Sequence, residues 1–236
     1  MLSVVAKLAG LALTVACWWL ASRSAGNSVL NIALIWGAPL LTFPIALFGR
    51  KALDAGPVSK KKRAEGTNVA VHYAMMIALG AGVFPAVALV QRSPGIVVPV
   101  PQPVGLALFM VTGFATFLTV LNLAVRGFGA PFAAKLSSRL ATDWMYAWTR
   151  NPMLLCTLAW FFSLGLWRQS LWFLVWLAVS VAPGWIFFIK AYEERELEMR
   201  FGPGYVEYKA RTPLLWPHRA RGPLSDGRGS VTEPRR

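Results

Sequence analysis

The sequence is poor in charge, and in negative charge above all. Only 14% of its 236 residues are charged, with 10 Asp and Glu against 24 Lys and Arg, whereas 56% are hydrophobic. Soluble globular domains carry about 25% charged residues, and disordered chains have low hydrophobicity. The composition excludes both classes and favours an integral membrane protein.

Cysteine and histidine are also scarce. The two cysteines, Cys17 and Cys156, both lie in apolar stretches and provide no disulfide framework. The two histidines, His72 and His218, are too few and too far apart to suggest a metal site. We therefore predict a protein without a metal centre.

Long hydrophobic runs dominate what is present. A helix that crosses a bilayer needs about 20 predominantly apolar residues. Six stretches are predicted as spans: 1–22, 28–49, 68–90, 104–125, 152–166 and 170–189. A very short turn separates the last two, which predicts a tight antiparallel hairpin. The expected fold is all-α and polytopic, with about six transmembrane helices, a C-terminal helical hairpin and a cytosolic tail.

The basic residues are distributed unevenly along this pattern. With the loop 50–67 in the cytosol, 21 of the 24 basic residues lie on the cytosolic side, and the exceptions are Arg23, Arg92 and Arg168. This asymmetry follows the positive-inside rule. It places both termini in the cytosol. The membrane itself would be a bacterial inner membrane or the endoplasmic reticulum. Because topology explains the basic excess, we expect membrane lipids as partners and no nucleic acid.

The acidic residues are concentrated directly after the last predicted span, where five of the ten lie between Glu193 and Glu207. One interpretation is a solvated amphipathic helix, in which Lys190–Glu194 and Glu196–Arg200 form i,i+4 pairs. The other is a functional cluster, since acidic residues at a membrane edge need a specific reason to be there. The residues themselves leave both interpretations open.

A second polar centre is the loop 126–151. It contains Gly127 and Gly129, and later Tyr146, Arg150 and Asn151. The predicted topology puts this loop and the acidic cluster on the same membrane face. The hairpin also brings the two ends of residues 152–189 together, so Arg150 and Asn151 should lie near Glu193 and Glu194. Arginine with paired carboxylates suits a zwitterionic ligand.

These motifs together resemble a known family. R-N-P-M at 150–153 precedes the hairpin, and E-E-x-x-L-x-x-x-F-G-x-x-Y-x-x-Y at 193–208 follows it. P-x-x-x-P at 213–217 and G-x-G at 127–129 complete the set. The combination is similar to the isoprenylcysteine carboxyl methyltransferases and the related phospholipid N-methyltransferases, over residues 120–217.

The resemblance implies an S-adenosylmethionine-dependent methyltransferase. It implies a catalytic region over 120–217. The apolar runs predict N-terminal transmembrane helices over 1–119, and the Gly-, Pro- and Arg-rich composition predicts a disordered tail over 218–236. The acceptor would be lipid-like or lipidated, with a carboxylate or amine, at the cytosolic face. Arg150 and Tyr146 would be catalytic. The implied cofactor-binding residues are Gly127, Gly129, Arg150, Asn151, Glu193, Glu194, Tyr205 and Tyr208.

Two other functions are compatible with parts of this pattern. A membrane NADPH-dependent reductase of the sterol-reductase type would have a comparable hairpin, but the paired Glu193 and Glu194 argue against a doubly charged 2′-phosphate. A non-enzymatic membrane protein or transporter should show ionisable residues or Gly- or Pro-broken positions inside its spans. Pro39, Pro44 and Pro85 are such breaks. No acidic residue lies inside any of the six predicted spans.

Overall fold

The computed structural model of the protein describes residues 2–23, 28–55, 60–126 and 140–216. In this part of the chain there are α-helices, a short 3-10 turn and two π-helical turns, and no strands. The predicted tail, 218–236, lies outside the described residues. The α-helices in chain order are α1 Leu2–Ser22, α2 Ser28–Leu40, α3 Thr42–Asp54, α4 Lys60–Arg92, α5 Gln102–Arg126, α6 Pro152–Trp167, α7 Leu171–Trp176, α8 Ala182–Phe188, α9 Glu194–Phe201 and α10 Pro203–Arg211.

The second predicted span is a bent pair of helices. Pro39 lies inside α2, and a proline in a helix interior removes one backbone hydrogen bond and bends the helix. The chain turns at Leu41, and the Thr42 hydroxyl donates to the Pro39 carbonyl at 2.6 Å. The pair α2–α3 therefore extends to Asp54, beyond the expected end of this span at residue 49.

The last predicted span also continues further than its apolar pattern. Helices α7, α8 and α9 follow one another without a break from Leu171 to Phe201. Two π-helical turns, Leu177–Val181 and Ile189–Glu193, join them. A π-turn inserts extra chain and rotates the side chains that follow. The second of these turns ends immediately before Glu194.

The lengths and composition of the helices confirm an all-α, polytopic membrane fold. In the described ranges, four helices are long and apolar enough to cross a membrane: Ser28–Asp54, Thr67–Arg92, Gln102–Val125 and Leu171–Phe201. Two shorter apolar helices accompany them, Leu8–Ser22 and Pro152–Trp167. These six segments correspond to the six predicted spans.

Helix α4 is central to the bundle and contacts α1, α2, α3 and α9. The core beside it contains large aromatic side chains that are fully buried, namely Phe173, Trp176, Phe188 and Tyr192. Helix α5 lies at the edge and packs antiparallel against α6. Its glycines allow this close approach, because a Cβ at Gly105 would lie 2.5 Å from the Trp167 backbone.

The hairpin turn defines one end of the bundle. Residues 168–170 connect α6 to α7. The segment 93–100, which connects α4 to α5, is hydrogen-bonded to them. The Val98 amide donates to the Gln169 carbonyl at 2.9 Å, and the Ser170 hydroxyl donates to the Pro94 carbonyl at 2.7 Å. The predicted tight hairpin is thus confirmed. The polar residues lie at its open end, where α6 and α9 begin.

Candidate functional site

The open end of the hairpin brings Arg150 to Glu194. Arg150 lies two residues before Pro152, which begins α6, and Glu194 begins α9. Its guanidinium Nη2 lies 2.6 Å from Glu194 Oε1, and the two side chains are only 11% and 7% exposed. Residues 44 positions apart therefore form a buried, charge-assisted hydrogen bond, which is among the strong kinds in proteins.

Arg150 also holds the last turn of α10 and the chain that follows it. Its Nη1 donates to the carbonyls of Lys209 at 2.6 Å and Thr212 at 2.9 Å, and its backbone amide donates to Pro213 at 2.8 Å. Of the Arg150 side-chain nitrogens, only Nε lacks a hydrogen-bond partner among the described residues. The guanidinium is therefore used mainly to join α6, α9 and the chain after α10.

Lys209 completes the ion-pair network, although no sequence motif predicts it. Its Nζ lies 2.6 Å from Glu194 Oε2 and 3.1 Å from Glu198 Oε1. Burial alone would lower the pKa of Lys209, but hydrogen bonds to these two carboxylates raise it above its ordinary value. The only sequence signal for Lys209 is its place in the short helix that follows Gly202.

Gly202 is what turns α10 back toward the site. Its φ of 59° and ψ of −137° lie in a region that side chains disfavour and glycine tolerates. Helix α9 therefore ends before Gly202, and α10 begins at Pro203. Because the chain reverses there, Lys209 faces back onto α9, and Tyr208 faces the 3-10 turn that contains Tyr146.

Of the two interpretations of the acidic segment, the solvated amphipathic helix does not fit the structure. Glu194 and Glu196 are 5% and 1% exposed, because α9 is enclosed by α4 and α10. The Glu196–Arg200 pair exists at 3.1 Å. Glu194 pairs with Arg150 and Lys209, which lie in other segments, instead of with Lys190.

The tyrosines of α10 are buried on one face. Tyr205 and Tyr208 are 2% and 4% exposed, and their ring centroids are 6.1 Å apart. The Tyr208 hydroxyl donates to the Tyr146 carbonyl at 2.7 Å. This bond fixes the 3-10 turn Trp144–Ala147, and with it the position of Tyr146.

A second set of site residues has polar groups that the protein does not use. In the part of the chain that the structure describes, no hydrogen bond or ion pair forms with the Glu193 carboxylate, the Tyr146 or Tyr205 hydroxyl, or the Asn151 side-chain amide. Burial and then the charge of Glu193 raise the pKa of Tyr146 above its ordinary value. Burial, followed by the charges of Glu194 and Glu193, does the same for Tyr205.

The charge of Glu193 therefore contributes to the raised pKa of both tyrosines. Both phenols stay protonated at neutral pH and can donate hydrogen bonds. Gly127 and Gly129, the other predicted cofactor-binding residues, lie outside the described residues. The structure thus collects six predicted side chains at one end of the bundle, and they are Tyr146, Arg150, Asn151, Glu193, Glu194 and Tyr205, with Tyr208 beside them.

Residues 101–204 match the phospholipid methyltransferase family. This match confirms the resemblance seen in the motifs. The phospholipid methyltransferase region, as we call these residues, starts just before α5 and includes Arg150, Asn151, Glu193 and Glu194, whereas α10 and its tyrosines lie almost wholly beyond it. No curated protein and no solved structure matches the chain. The family supports a membrane methyltransferase and gives no support to the reductase or transporter alternatives.

Proposed function

We propose that the protein is an S-adenosylmethionine-dependent methyltransferase that transfers a methyl group to a lipid-like or lipidated acceptor. The observation that carries this proposal is the Arg150–Glu194 contact at 2.6 Å. It joins the residues just before α6 to the start of α9, so that two separate parts of the phospholipid methyltransferase region form one site at the open end of the hairpin. The site lies at the membrane edge that the charge distribution assigns to the cytosol.

The residues present fit the cofactor. S-adenosylmethionine offers an ammonium group and ribose hydroxyls as donors, and a carboxylate as acceptor. Glu193 supplies an unpaired carboxylate for the donors, and the Asn151 amide can serve either kind of group. Arg150 Nε is a buried donor without a partner among the described residues. A buried charged donor of this kind is costly unless something pairs with it.

The chain's contribution to the reaction is mainly positioning. The cofactor, when bound, supplies an electrophilic methyl group on a sulfonium. Holding a donor and an acceptor in line contributes up to about 7–11 kcal/mol to the lowering of a barrier. Arg150, Glu194 and Lys209 form a rigid wall, because every one of them has partners on two different segments.

Whether the reaction needs a general base depends on which of the two candidate acceptors is methylated. A carboxylate acceptor needs no base. An ammonium acceptor must first lose a proton, and we assign that proton to the unpaired Glu193 carboxylate. The raised pKa of Tyr146 suits a neutral hydrogen-bond donor better than a base, because its phenolate is disfavoured.

The acceptor is expected to arrive from the bilayer. Helix α5 packs against α6 on one side and presents large apolar residues on the other, among them Val111, Phe114 and Phe117. Lipid chains can lie along this face without leaving the hydrocarbon region. The reacting group would then reach the polar end of α6 at the membrane edge.

A comparative titration tests the proposal. The full chain in lipid nanodiscs is titrated with S-adenosylmethionine and, separately, with NADPH by calorimetry. We expect saturable binding of S-adenosylmethionine and no heat of binding for NADPH. If S-adenosylmethionine does not bind at millimolar concentration to the folded protein, the proposed function is wrong.

A further inference from the structure

A second buried polar cluster lies on the far side of α9 from the site. The Asn68 side-chain amide of α4 donates to Glu196 Oε1 at 3.0 Å, and Arg200 Nη1 lies 3.1 Å from the same oxygen. Asn68 is 3% exposed and Glu196 is 1% exposed. We call these three residues, Asn68, Glu196 and Arg200, the α4–α9 clamp.

The clamp and the site act on opposite faces of one short helix. Successive α-helical residues are about 100° apart around the axis, so Glu194 and Glu196 point about 200° apart. Glu194 is bonded to Arg150 and Lys209, and Glu196 is bonded to Asn68. Helix α9 is therefore held from both sides, and its rotation about its own axis is determined by both sets of contacts.

The surroundings of the clamp are otherwise apolar and aromatic. One turn along α4 from Asn68 lies His72, whose ring meets Phe188 edge-on at 5.5 Å and Tyr192 at 6.0 Å. Tyr192 belongs to the π-turn that ends at Glu193. A buried carboxylate in such surroundings depends on each of its polar partners. Loss of the Asn68 amide therefore affects the chain that carries Glu193 and Glu194.

We propose that Asn68 is a positioning residue for the methyltransferase site, acting through Glu196 on the rotation of α9. This inference rests on the proposed function. Asn68 lies 128 positions before Glu196 and outside the phospholipid methyltransferase region. The N-terminal helices would thus supply part of the site's alignment in addition to a membrane anchor.

The test compares two buried asparagines. Asn68→Ala removes the clamp donor, and Asn31→Ala alters a similarly buried asparagine in α2. The affinity of each full-length variant for S-adenosylmethionine is measured in nanodiscs, together with its melting temperature. We expect Asn68→Ala to weaken binding at least about tenfold and Asn31→Ala to leave it unchanged, at comparable melting temperatures. Asn68→Gln, which keeps the amide, should recover part of the affinity.

A double-mutant cycle separates positioning from general destabilisation. If Asn68 acts through Glu196, the effects of Asn68→Ala and Glu196→Gln on affinity should not add. Additive effects, wild-type affinity in Asn68→Ala, or equal losses in Asn68→Ala and Asn31→Ala would each overturn the inference.

Hydrogen exchange gives a readout that does not need the cofactor. Amides of residues 189–201 should exchange faster in Asn68→Ala than in wild type, and at the wild-type rate in Asn31→Ala. Unchanged exchange in Asn68→Ala would show that the clamp does not hold α9. Failure of wild type to bind S-adenosylmethionine, with faster exchange in Asn68→Ala, would instead refute the proposed function and leave α9 held by the clamp.

Discussion

At the scale of single residues, the site contains two kinds of polar group. Arg150, Glu194 and Lys209 pair with one another and with backbone carbonyls, and of these groups Arg150 Nε is left without a partner among the described residues. Glu193, with the hydroxyls of Tyr146 and Tyr205, has no partner among the described residues. Side chains that pair within the protein hold the site together, whereas unpaired side chains are available to a ligand. Glu194 and Glu193 are therefore expected to have different roles.

The first prediction concerns Glu193. Glu193→Gln keeps the size of the side chain and removes its charge, and it breaks no ion pair in the part of the chain described. A hydrogen bond to a charged group contributes about 1.5–3 kcal/mol, so affinity for S-adenosylmethionine should fall at least about tenfold with little change in melting temperature. Glu207→Gln is the control, because Glu207 is 51% exposed and pairs with Arg211 at the surface. Equal affinities of the two variants would contradict the assignment.

The second prediction concerns the protonation of Tyr146. Its pKa is raised in the folded protein, whereas an unfolded tyrosine has a pKa of about 10. Above that pH the unfolded chain loses a proton that the folded chain keeps, so this residue's contribution to stability is present below about pH 10 and is lost as pH rises further. Wild type should therefore lose more thermal stability than Tyr146→Phe between pH 9 and pH 11. Identical pH dependence of the two would show that the phenol is not perturbed.

At the scale of elements, the hairpin is the feature that the sequence predicts best. A short turn between two apolar runs is enough to bring Arg150 and Glu194 to the same end of the bundle. Lys209 and Asn68 could not be found in this way. The position of Lys209 depends on the backbone reversal at Gly202, and that of Asn68 on the register between α4 and α9, which no local pattern encodes. The two π-turns also lack a distinctive sequence signal.

The third prediction tests how closely the elements of the hairpin region pack. A Cβ at Gly105 would meet the Trp167 backbone at 2.5 Å, whereas a Cβ at Gly37 in α2 would meet nothing within 4 Å. Gly105→Ala must separate α5 from α6, and such overpacking costs about 1–3 kcal/mol. Gly37→Ala should be neutral or should stabilise by up to about 1 kcal/mol. Unfolding in detergent measures both, and equal stability of the two variants would contradict the α5–α6 contact.

At the scale of the whole molecule, the scarcity of acidic residues and the uneven distribution of basic residues both reflect a difference between the two ends of the bundle. The structure separates the ends of the bundle, with the hairpin turn at one end and nearly all buried ion pairs of the described residues at the other. The sequence predicts which end faces the cytosol through its charges alone. The helices themselves are consistent with either orientation, so the topology needs its own measurement.

The fourth prediction concerns that topology. In a variant with Cys17 and Cys156 replaced by alanine, a single cysteine is introduced at Ala55 or at Ser93, which are exposed at opposite ends of the bundle. A membrane-impermeant thiol reagent added to intact cells should label Ser93→Cys, and should label Ala55→Cys only after the membrane is permeabilised. The reverse pattern would place the site on the other side of the membrane.

The fifth prediction concerns the activity itself. The most direct measurement is transfer of a labelled methyl group by the purified full chain in nanodiscs. The protein is incubated with methyl-labelled S-adenosylmethionine and either a total membrane-lipid extract or an isoprenylated cysteine, and the organic phase is counted. We predict a labelled product with one of these acceptors for wild type, and at least about tenfold less label for Glu193→Gln. If folded wild type that binds S-adenosylmethionine transfers no label to either acceptor, the assignment as a lipid-directed methyltransferase is contradicted.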